Sequence, residues 1–126
     1  MSKAKKSIKI RLPEYVTPRN DWRKEIHRVF ATKWETSNIT YSKADKLELI
    51  IKLYLDKGRL EAHDVDNRLK DIMDALQGRI GGPKNVHKYR KYILNDNQVY
   101  KVTIEKQPPR NYTIRLGHLI VRKYKR

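Results

Sequence analysis

Residues 46–55 read KLELIIKLYL, and this stretch decides the fold class. Leucine or isoleucine occupies every second position from Leu47 to Leu55, which is the spacing of side chains on one face of a β-strand. The alternate positions carry Lys46, Glu48 and Lys52, so the opposite face is more polar. A strand with such a continuous apolar face predicts the central strand of a sheet that is packed against helices.

Two further segments carry the period of an amphipathic helix. The first helix is predicted over residues 18–33, with Thr17 as its cap and Pro18 at its first position, where the missing N–H costs nothing. The second is predicted to end at Gly78, because glycine is favoured just past the carboxyl terminus of a helix. The apolar positions that define them are Trp22, Ile26 and Val29 in the first helix, and Leu69, Ile72, Met73 and Leu76 in the second.

Alternating apolar residues predict the remaining strands. These strands are residues 8–12, residues 100–104 and residues 112–121, the last with a bulge near Gly117. Residues 1–6 are basic and polar and are predicted to form a loose arm. The chain therefore predicts one α+β domain over residues 1–126, with a four- to five-stranded mixed sheet packed against two main helices.

The charge of the chain restricts the class of partner. There are 30 Lys and Arg against 14 Asp and Glu, a formal net charge of +16, which predicts a polyanionic partner such as nucleic acid. The chain has no cysteine, which excludes disulfides, thiolate metal sites and cysteine nucleophiles. No apolar run exceeds three residues, so a transmembrane span and a secretory signal peptide are not expected, and we predict a cytoplasmic protein that does not bind membranes.

Residues 79–92 form a predicted basic loop with five Lys or Arg and no acid. Tyr89 and Tyr92 in this loop are candidates for stacking on unpaired bases, although a tyrosine is more often simply packed. No glycine-rich phosphate loop of the Walker type occurs, so no nucleotide cofactor is expected. The candidate DNA-binding residues of the loop are Lys84, Lys88, Tyr89, Arg90 and Lys91.

Acidic residues are concentrated in one short stretch of this basic chain. Five of the 14 acids lie within residues 61–74, among them Asp64 and Asp66. If residues 61–66 are extended, these two carboxylates leave the same face, and they repel each other unless a cation lies between them. Carboxylate oxygens suit Mg²⁺ or Mn²⁺. The alternative is that Asp66 or Asn67 caps the second helix by accepting backbone N–H bonds.

Two residues outside the acidic pair have open roles. Lys70 shares a stripe of the second helix with Asp66 and Asp74. It forms either an ordinary ion pair within the helix or a cation that stabilises charge on a phosphoryl group. Asp96 lies in an Asn-Asp-Asn triplet that alone is typical of a turn.

Three motifs in this order resemble the RusA family of Holliday-junction resolvases, which are metal-dependent endonucleases of bacteria and phages. They are Asp64-Val65-Asp66-Asn67-Arg68-Leu69-Lys70, then Asp74-Ala75-Leu76-Gln77-Gly78, and then Asn95-Asp96-Asn97-Gln98-Val99, with Lys106 downstream. The family pattern is D-x-D-N-x-x-K, then D-A-L-x-G, then [DN]-D-x-Q-V. Two departures are the long basic stretch between Gly78 and Asn95, and Asn95 itself, where many members carry a second Asp.

The resemblance implies a Mg²⁺-dependent endodeoxyribonuclease, with Mn²⁺ able to substitute, that acts on branched double-stranded DNA in recombination and repair. Under it, Asp64, Asp66 and Asp96 are catalytic metal ligands and Lys70 is a catalytic lysine. Paired cuts on opposing strands of a four-way junction require two sites, so a homodimer is expected. Two alternatives remain: a nuclease for flaps or forks, and a non-catalytic basic protein that binds nucleic acid, which explains the charge but not the acidic cluster.

Overall fold

Four strands and two helices form the part of the chain that the structure describes. The structure is a computed structural model, and it describes residues 7–55, 64–80, 89–93, 95–108 and 117–125. In chain order the elements are β1 (Ser7–Leu12), α1 (Arg19–Ser37), β2 (Leu47–Tyr54), α2 (Val65–Leu76), β3 (Val99–Gln107) and β4 (Gly117–Lys123). The predicted α+β domain with a mixed sheet and two helices is confirmed. The predicted strand positions 112–116 lie outside the described residues.

The sheet has the order β1-β4-β2-β3. β4 is antiparallel to both of its neighbours, whereas β2 and β3 are parallel and are joined through α2. β2 therefore lies in the interior of the sheet, as its continuous apolar face predicts. Strands β1, β2 and β3 all run in one direction, so we call the edge where they begin the amino edge and the edge where they end the carboxyl edge.

Both helices cover one face of the sheet. A row of paired residues runs across this face from Ile8 through Val121 and Leu49 to Val102. The core joins this row to buried side chains of both helices, such as Trp22 and Ile72. The opposite face of the sheet carries most of the polar strand residues. None of the helices in the described residues is long and apolar enough to cross a membrane.

Helix α1 departs from the prediction at both ends. It begins at Arg19, and Pro18 instead of Thr17 occupies the cap position, without a side-chain cap bond. The helix continues four residues beyond the predicted end because Phe30 and Trp34 are buried there. Their rings pack against each other and against Tyr92, with centroids 5.0–5.9 Å apart. Tertiary packing of aromatic rings thus outweighs the weak helix preference of a polar end.

Helix α2 ends as predicted, with Gly78 just beyond it. Gly78 has a φ of 75°, and a Cβ atom there would lie 2.5 Å from the carbonyl oxygen of Tyr89. Only glycine satisfies both conditions without strain. Gly117 is a second close approach, because a Cβ atom there would collide with the carbonyl oxygen of Lys52. The pairing of Gly117 with β1 is regular, so the bulge expected there is not seen within β4.

Candidate functional site

The predicted acidic pair lies at the start of α2. Asp64 is the N-cap residue, with an extended backbone (φ −84°, ψ 136°), and its carbonyl oxygen accepts the first helical bond from the N–H of Arg68 at 3.2 Å. Its carboxylate makes no cap hydrogen bond. The side chain is exposed, and no cation of the described residues forms a salt bridge with it. The carboxylate of Asp64 is therefore free of a structural task in the described part of the chain.

Asp66 is exposed in the first turn of α2. One of its carboxylate oxygens accepts a hydrogen bond from the backbone N–H of Asn67 at 3.0 Å. The helix starts at Val65, so residues 65 and 66 are helical and the condition that residues 61–66 are extended is not met there. The competing prediction is met in part, because Asp66 accepts one backbone bond, but the cap position belongs to Asp64.

Lys70 forms neither of the ion pairs that its spacing allows. Within the described residues its ammonium has no salt bridge with Asp66 or Asp74, and the side chain is exposed. Asp74 instead binds Arg23 of α1, with 3.3 Å between Oδ2 and Nη2. The ordinary explanation of Lys70 as half of an intrahelical pair therefore finds no support, and its charge is available to a bound anion.

Asp96 lies in a separate structure at the amino edge of the sheet. It begins a short 3₁₀ turn, Asp96–Gln98, and is exposed. Asn95 caps this turn: its side chain accepts a bond from Asn97 N–H at 3.0 Å, and the Gln98 side chain accepts one from Asn95 N–H at 3.0 Å. Asn95 thus has a structural task. An Asp there would also accept the bond from Asn97.

The structure does not bring Asp96 to the acidic pair. Arg68, in the first turn of α2, borders a small cavity at the carboxyl edge, together with Leu12, Leu53 and Leu55. At the other end of the helix, the Leu76 carbonyl accepts bonds from the N–H groups of residues 92 and 93, which lead to the turn of Asp96. The Gln98 side chain anchors that turn to the carbonyls of residues 42 and 45, just before β2.

Helix α2 therefore separates the two groups of carboxylates by roughly its own length, about 18 Å for 12 residues. Accordingly, the described residues contain no group of three or more His, Cys, Asp or Glu side chains placed to hold a metal ion. One chain does not unite Asp64, Asp66 and Asp96. The direction of the β2-α2-β3 crossover is the physical reason, since it puts the start of the helix and the start of β3 at opposite edges.

The acidic pair fits the chemistry of Mg²⁺ even without a third carboxylate. This ion keeps several water ligands and is usually held in proteins by one or two carboxylates together with substrate phosphates. Asp64 and Asp66 are exposed, are two residues apart and form no salt bridge within the described chain. A hydrated divalent ion with a phosphate is thus compatible with the donors at the start of α2.

The most buried charged residue among those that the structure describes was not identified as special from the sequence. Asp71 is 0% exposed and binds three arginines from two helices. The shortest N···O distances are 2.9 Å to Arg19, 3.0 Å to Arg23 and 3.2 Å to Arg68. We call these four residues the Asp71 cluster. It fixes α1 to α2, and it thereby fixes the helix whose first turn carries the acidic pair.

Arg68 connects the Asp71 cluster to the aromatic core. Its guanidinium carbon lies 4.4 Å from the ring centroid of Tyr15 and 5.9 Å from that of Trp22. A sequence signal for the cluster exists, because residues 68, 71, 72, 75 and 76 form one stripe of α2 and all are buried. The buried stripe of α2 is shifted by one residue from the predicted apolar stripe, because Leu69 and Met73 are only partly buried.

The predicted DNA-binding loop is described only at its two ends, residues 79–80 and 89–92. Lys84 and Lys88 lie outside the described residues. Tyr92 is buried among aromatic rings, so of the two roles considered for it the packed one is confirmed and base stacking is not available. Burial also raises its pKa. Tyr89 is half-buried, with its ring centroid 5.3 Å from that of His27.

Arg90 and Lys91 are both exposed. The guanidinium of Arg90 lies 5.7 Å from the ring centroids of Trp34 and Tyr92, so Arg90 packs on the aromatic core and keeps its charge at the surface. Lys91 is the more available of the two for a phosphate.

A basic groove that the sequence did not indicate lies between β1 and α1. Its charged residues are Lys9 and Arg11 on β1 and Arg28 and Lys33 on α1. Arg28 is paired with Glu25 at 2.8 Å, whereas the other three have no salt bridge within the described residues. Desolvation lowers the pKa of the neighbouring His118, and the positive charges of Arg11 and Lys52 lower it further. The four cations of the groove, only one of which is paired within the described residues, make this surface positively charged.

The chain matches no protein-family model, and no curated protein is significantly similar to it.

Proposed function

We propose that the protein is a Mg²⁺-dependent endonuclease that cuts branched DNA, with the four-way junction as its substrate. The observation that supports this most directly is the state of Asp64 and Asp66. Both carboxylates are exposed at one helix end and form no salt bridge within the described chain, although cations outnumber acids by 30 to 14. Carboxylates whose role is structural are paired here, as Asp71, Asp74 and Glu48 are.

The separation of Asp96 from the pair leads to a second part of the proposal. We place Asp96 of the partner subunit beside Asp64 and Asp66, in a two-fold homodimer with two composite sites. In such a dimer, the amino edge of each copy lies beside the carboxyl edge of the other. The two-fold axis repeats this contact, which gives two identical sites. A junction needs two symmetric cuts, and this arrangement supplies them. A monomer would have only the two carboxylates of α2 at each site.

When bound, the metal ion would lower the pKa of a water molecule and neutralise charge on the scissile phosphate. Asp64 and Asp66 hold and orient this cation through their ionised carboxylates. Lys70 follows one turn after Asp66 and presents a positive charge to the phosphoryl oxygens, where negative charge grows in the transition state. The basic groove supplies phosphate contacts that hold the DNA without reading its sequence.

Replacement of Lys70 should affect the chemical step more than binding. We expect Lys70→Met to lower the single-turnover rate at least about tenfold, which corresponds to about 1.4 kcal/mol, because the charge acts on the transition state. The rate is measured with saturating protein on a labelled junction, and affinity is measured separately in EDTA. Lys24→Met, which removes an exposed cation of α1 that does not line the groove, is the matched control and should leave this rate unchanged. A weaker affinity with an unchanged rate would make Lys70 a phosphate-positioning residue instead.

A mixture of two inactive variants tests the composite sites. Asp66→Asn and Asp96→Asn should each be inactive alone. In a heterodimer of the two, one site carries both substitutions and the other carries neither, so we expect the mixture to recover cleavage of one strand. If all the ligands came from one chain, every site would carry a substitution and the mixture would stay inactive. Light scattering that shows only a monomer of about 15 kDa on junction DNA would also contradict the dimer.

A nuclease specific for flaps or forks uses the same groups, and a non-catalytic DNA-binding protein uses only the basic surface. Labelled four-way junction, fork, flap and duplex should be incubated with the protein in Mg²⁺ and in EDTA. Symmetric paired cuts on the junction in Mg²⁺ alone support the proposal. Preferential cutting of flaps or forks supports the first alternative, and binding without any cleavage supports the second.

A further inference from the structure

Tyr100 has the most exposed large apolar side chain that the structure describes. It is 57% exposed, although it lies at the start of β3 among residues that pair with β2. The ring does not pack into the core. The apolar side chains of β3 that pack against the core are those of Val99, Val102 and Ile104. An aromatic ring of this size is costly to leave in water, so its exposure calls for an explanation.

A β-bulge positions Tyr100. The partner of Leu47 is Val99 and the partner of Glu48 is Lys101, so Tyr100 is an extra residue with no partner on β2. A bulge of this type bends the strand and redirects the side chain of the extra residue. β3 is at the edge of the four-stranded sheet, so no further described strand covers Tyr100 on that side.

The ring of Tyr100 also contacts two neighbouring side chains, those of Tyr124 and Lys46. The centroid of the Tyr124 ring is 5.7 Å from it, with an angle of 36° between the ring planes. The ammonium of Lys46 lies 5.1 Å from the centroid of Tyr100. The backbone N–H of Tyr124 donates to the carbonyl of Lys46 at 2.8 Å, which ties these two neighbours together. These contacts hold the ring and leave more than half of the side chain open to solvent.

The surroundings of the ring are basic. Lys101 and Arg122 share one carboxylate, Glu48, at 3.9 and 2.9 Å, so this trio keeps an excess of one positive charge. Lys46 and Lys125 are exposed and form no salt bridge within the described residues. An exposed aromatic ring with cations around it is the arrangement that binds a base by stacking and its phosphates by charge.

We infer that Tyr100 is a stacking platform for an unpaired nucleotide of bound DNA. The inference rests on the DNA-binding part of the proposed function and does not depend on cleavage. A paired base inside a duplex has no free face, so Tyr100 selects nucleotides that are open at a branch point or in a single strand. Stacking tolerates any base, because every base has a π-face, so no sequence preference arises from this contact.

Binding in EDTA tests this inference without any contribution from cleavage. Tyr100→Thr removes the ring and keeps a residue that suits a strand, whereas Tyr100→Phe keeps the ring and removes the hydroxyl. For an oligo-thymidine single strand and for a four-way junction, we expect Tyr100→Thr to bind at least about fivefold more weakly than wild type and Tyr100→Phe to bind normally. For a fully paired duplex of equal length, all three proteins should bind alike.

A base analogue provides a direct readout of stacking. The fluorescence of 2-aminopurine in the single strand should be quenched by wild type and by Tyr100→Phe, and not by Tyr100→Thr. Unchanged affinity of Tyr100→Thr, an equal loss on duplex, or a loss in Tyr100→Phe as large as in Tyr100→Thr would overturn the inference. Absence of any DNA binding by the wild-type chain would overturn the proposed function with it, whereas normal wild-type binding restricts the failure to Tyr100.

Discussion

Asp66→Asn is expected to abolish junction cleavage in Mg²⁺ while leaving the affinity for junction DNA intact. The substitution keeps the size of the side chain and removes one of the two charges that would hold the cation at the start of α2. Affinity comes from the basic surface, and a carboxylate there only repels phosphate, so binding should be unchanged or slightly tighter. Cleavage is measured under single-turnover conditions and affinity in EDTA. Asp64→Asn should behave in the same way.

Asp21→Asn is the matched control for this experiment. Asp21 also lies in the first turn of a helix, is exposed and has no salt bridge within the described residues. The same loss of charge there should leave both the rate and the affinity unchanged. Near-normal cleavage by Asp66→Asn at saturating Mg²⁺ would remove Asp66 from the site. If Asp21→Asn were equally inactive, a general effect of charge would explain both results.

Asp71→Asn should destabilise the fold by about 3 kcal/mol or more. The change leaves three arginines without their shared carboxylate, and Arg68 among them has a side chain only 6% exposed. Loss of one partner of a buried ion pair typically costs about 3–5 kcal/mol because the remaining charge stays buried. Urea unfolding followed by circular dichroism measures this difference in the free energy of unfolding.

Glu25→Gln provides the comparison for a surface pair. It breaks the salt bridge between Glu25 and Arg28, whose side chains are 44% and 66% exposed, and should destabilise the fold far less than Asp71→Asn because solvent screens the pair. Similar small effects of the two substitutions would show that solvent screens the Asp71 cluster. The role that we assign to the cluster, fixing α1 against α2, would then be wrong.

The elements of the fold that follow from local periodicity were predictable. β2 is identified by its alternating leucines, and α2 by apolar residues that repeat at helical spacing before Gly78. Both signals depend only on near neighbours in the chain. The last turn of α1 was not predictable, because Phe30 and Trp34 are held there by rings that are distant in sequence.

The sequence proposes the residues of the candidate site and does not predict their arrangement. Spacing and resemblance pointed to Asp64, Asp66 and Asp96. Neither of them shows in which direction β3 runs relative to β2, and this direction decides whether Asp96 lies near the acidic pair. The burial of Asp71 was hidden for a similar reason, since two of its arginines are 52 and 48 residues away. An aspartate on a helix with lysines and arginines nearby is typical of a solvated surface, and only the packing of α1 makes it a core residue.

The opposite positions of the acidic pair and Asp96 have a consequence for the timing of the two incisions. In the proposed dimer, each chain contributes to both composite sites, at the two ends of α2. The distance between the sites is at least the length of α2, roughly 18 Å, and at most the length of β2, roughly 26 Å. The Debye length at physiological ionic strength is only about 8 Å. Loss of charge at one site is therefore screened from the other, and the two incisions are electrostatically independent. Any coupling between the first cut and the second has to pass through the conformation of the DNA or of the dimer.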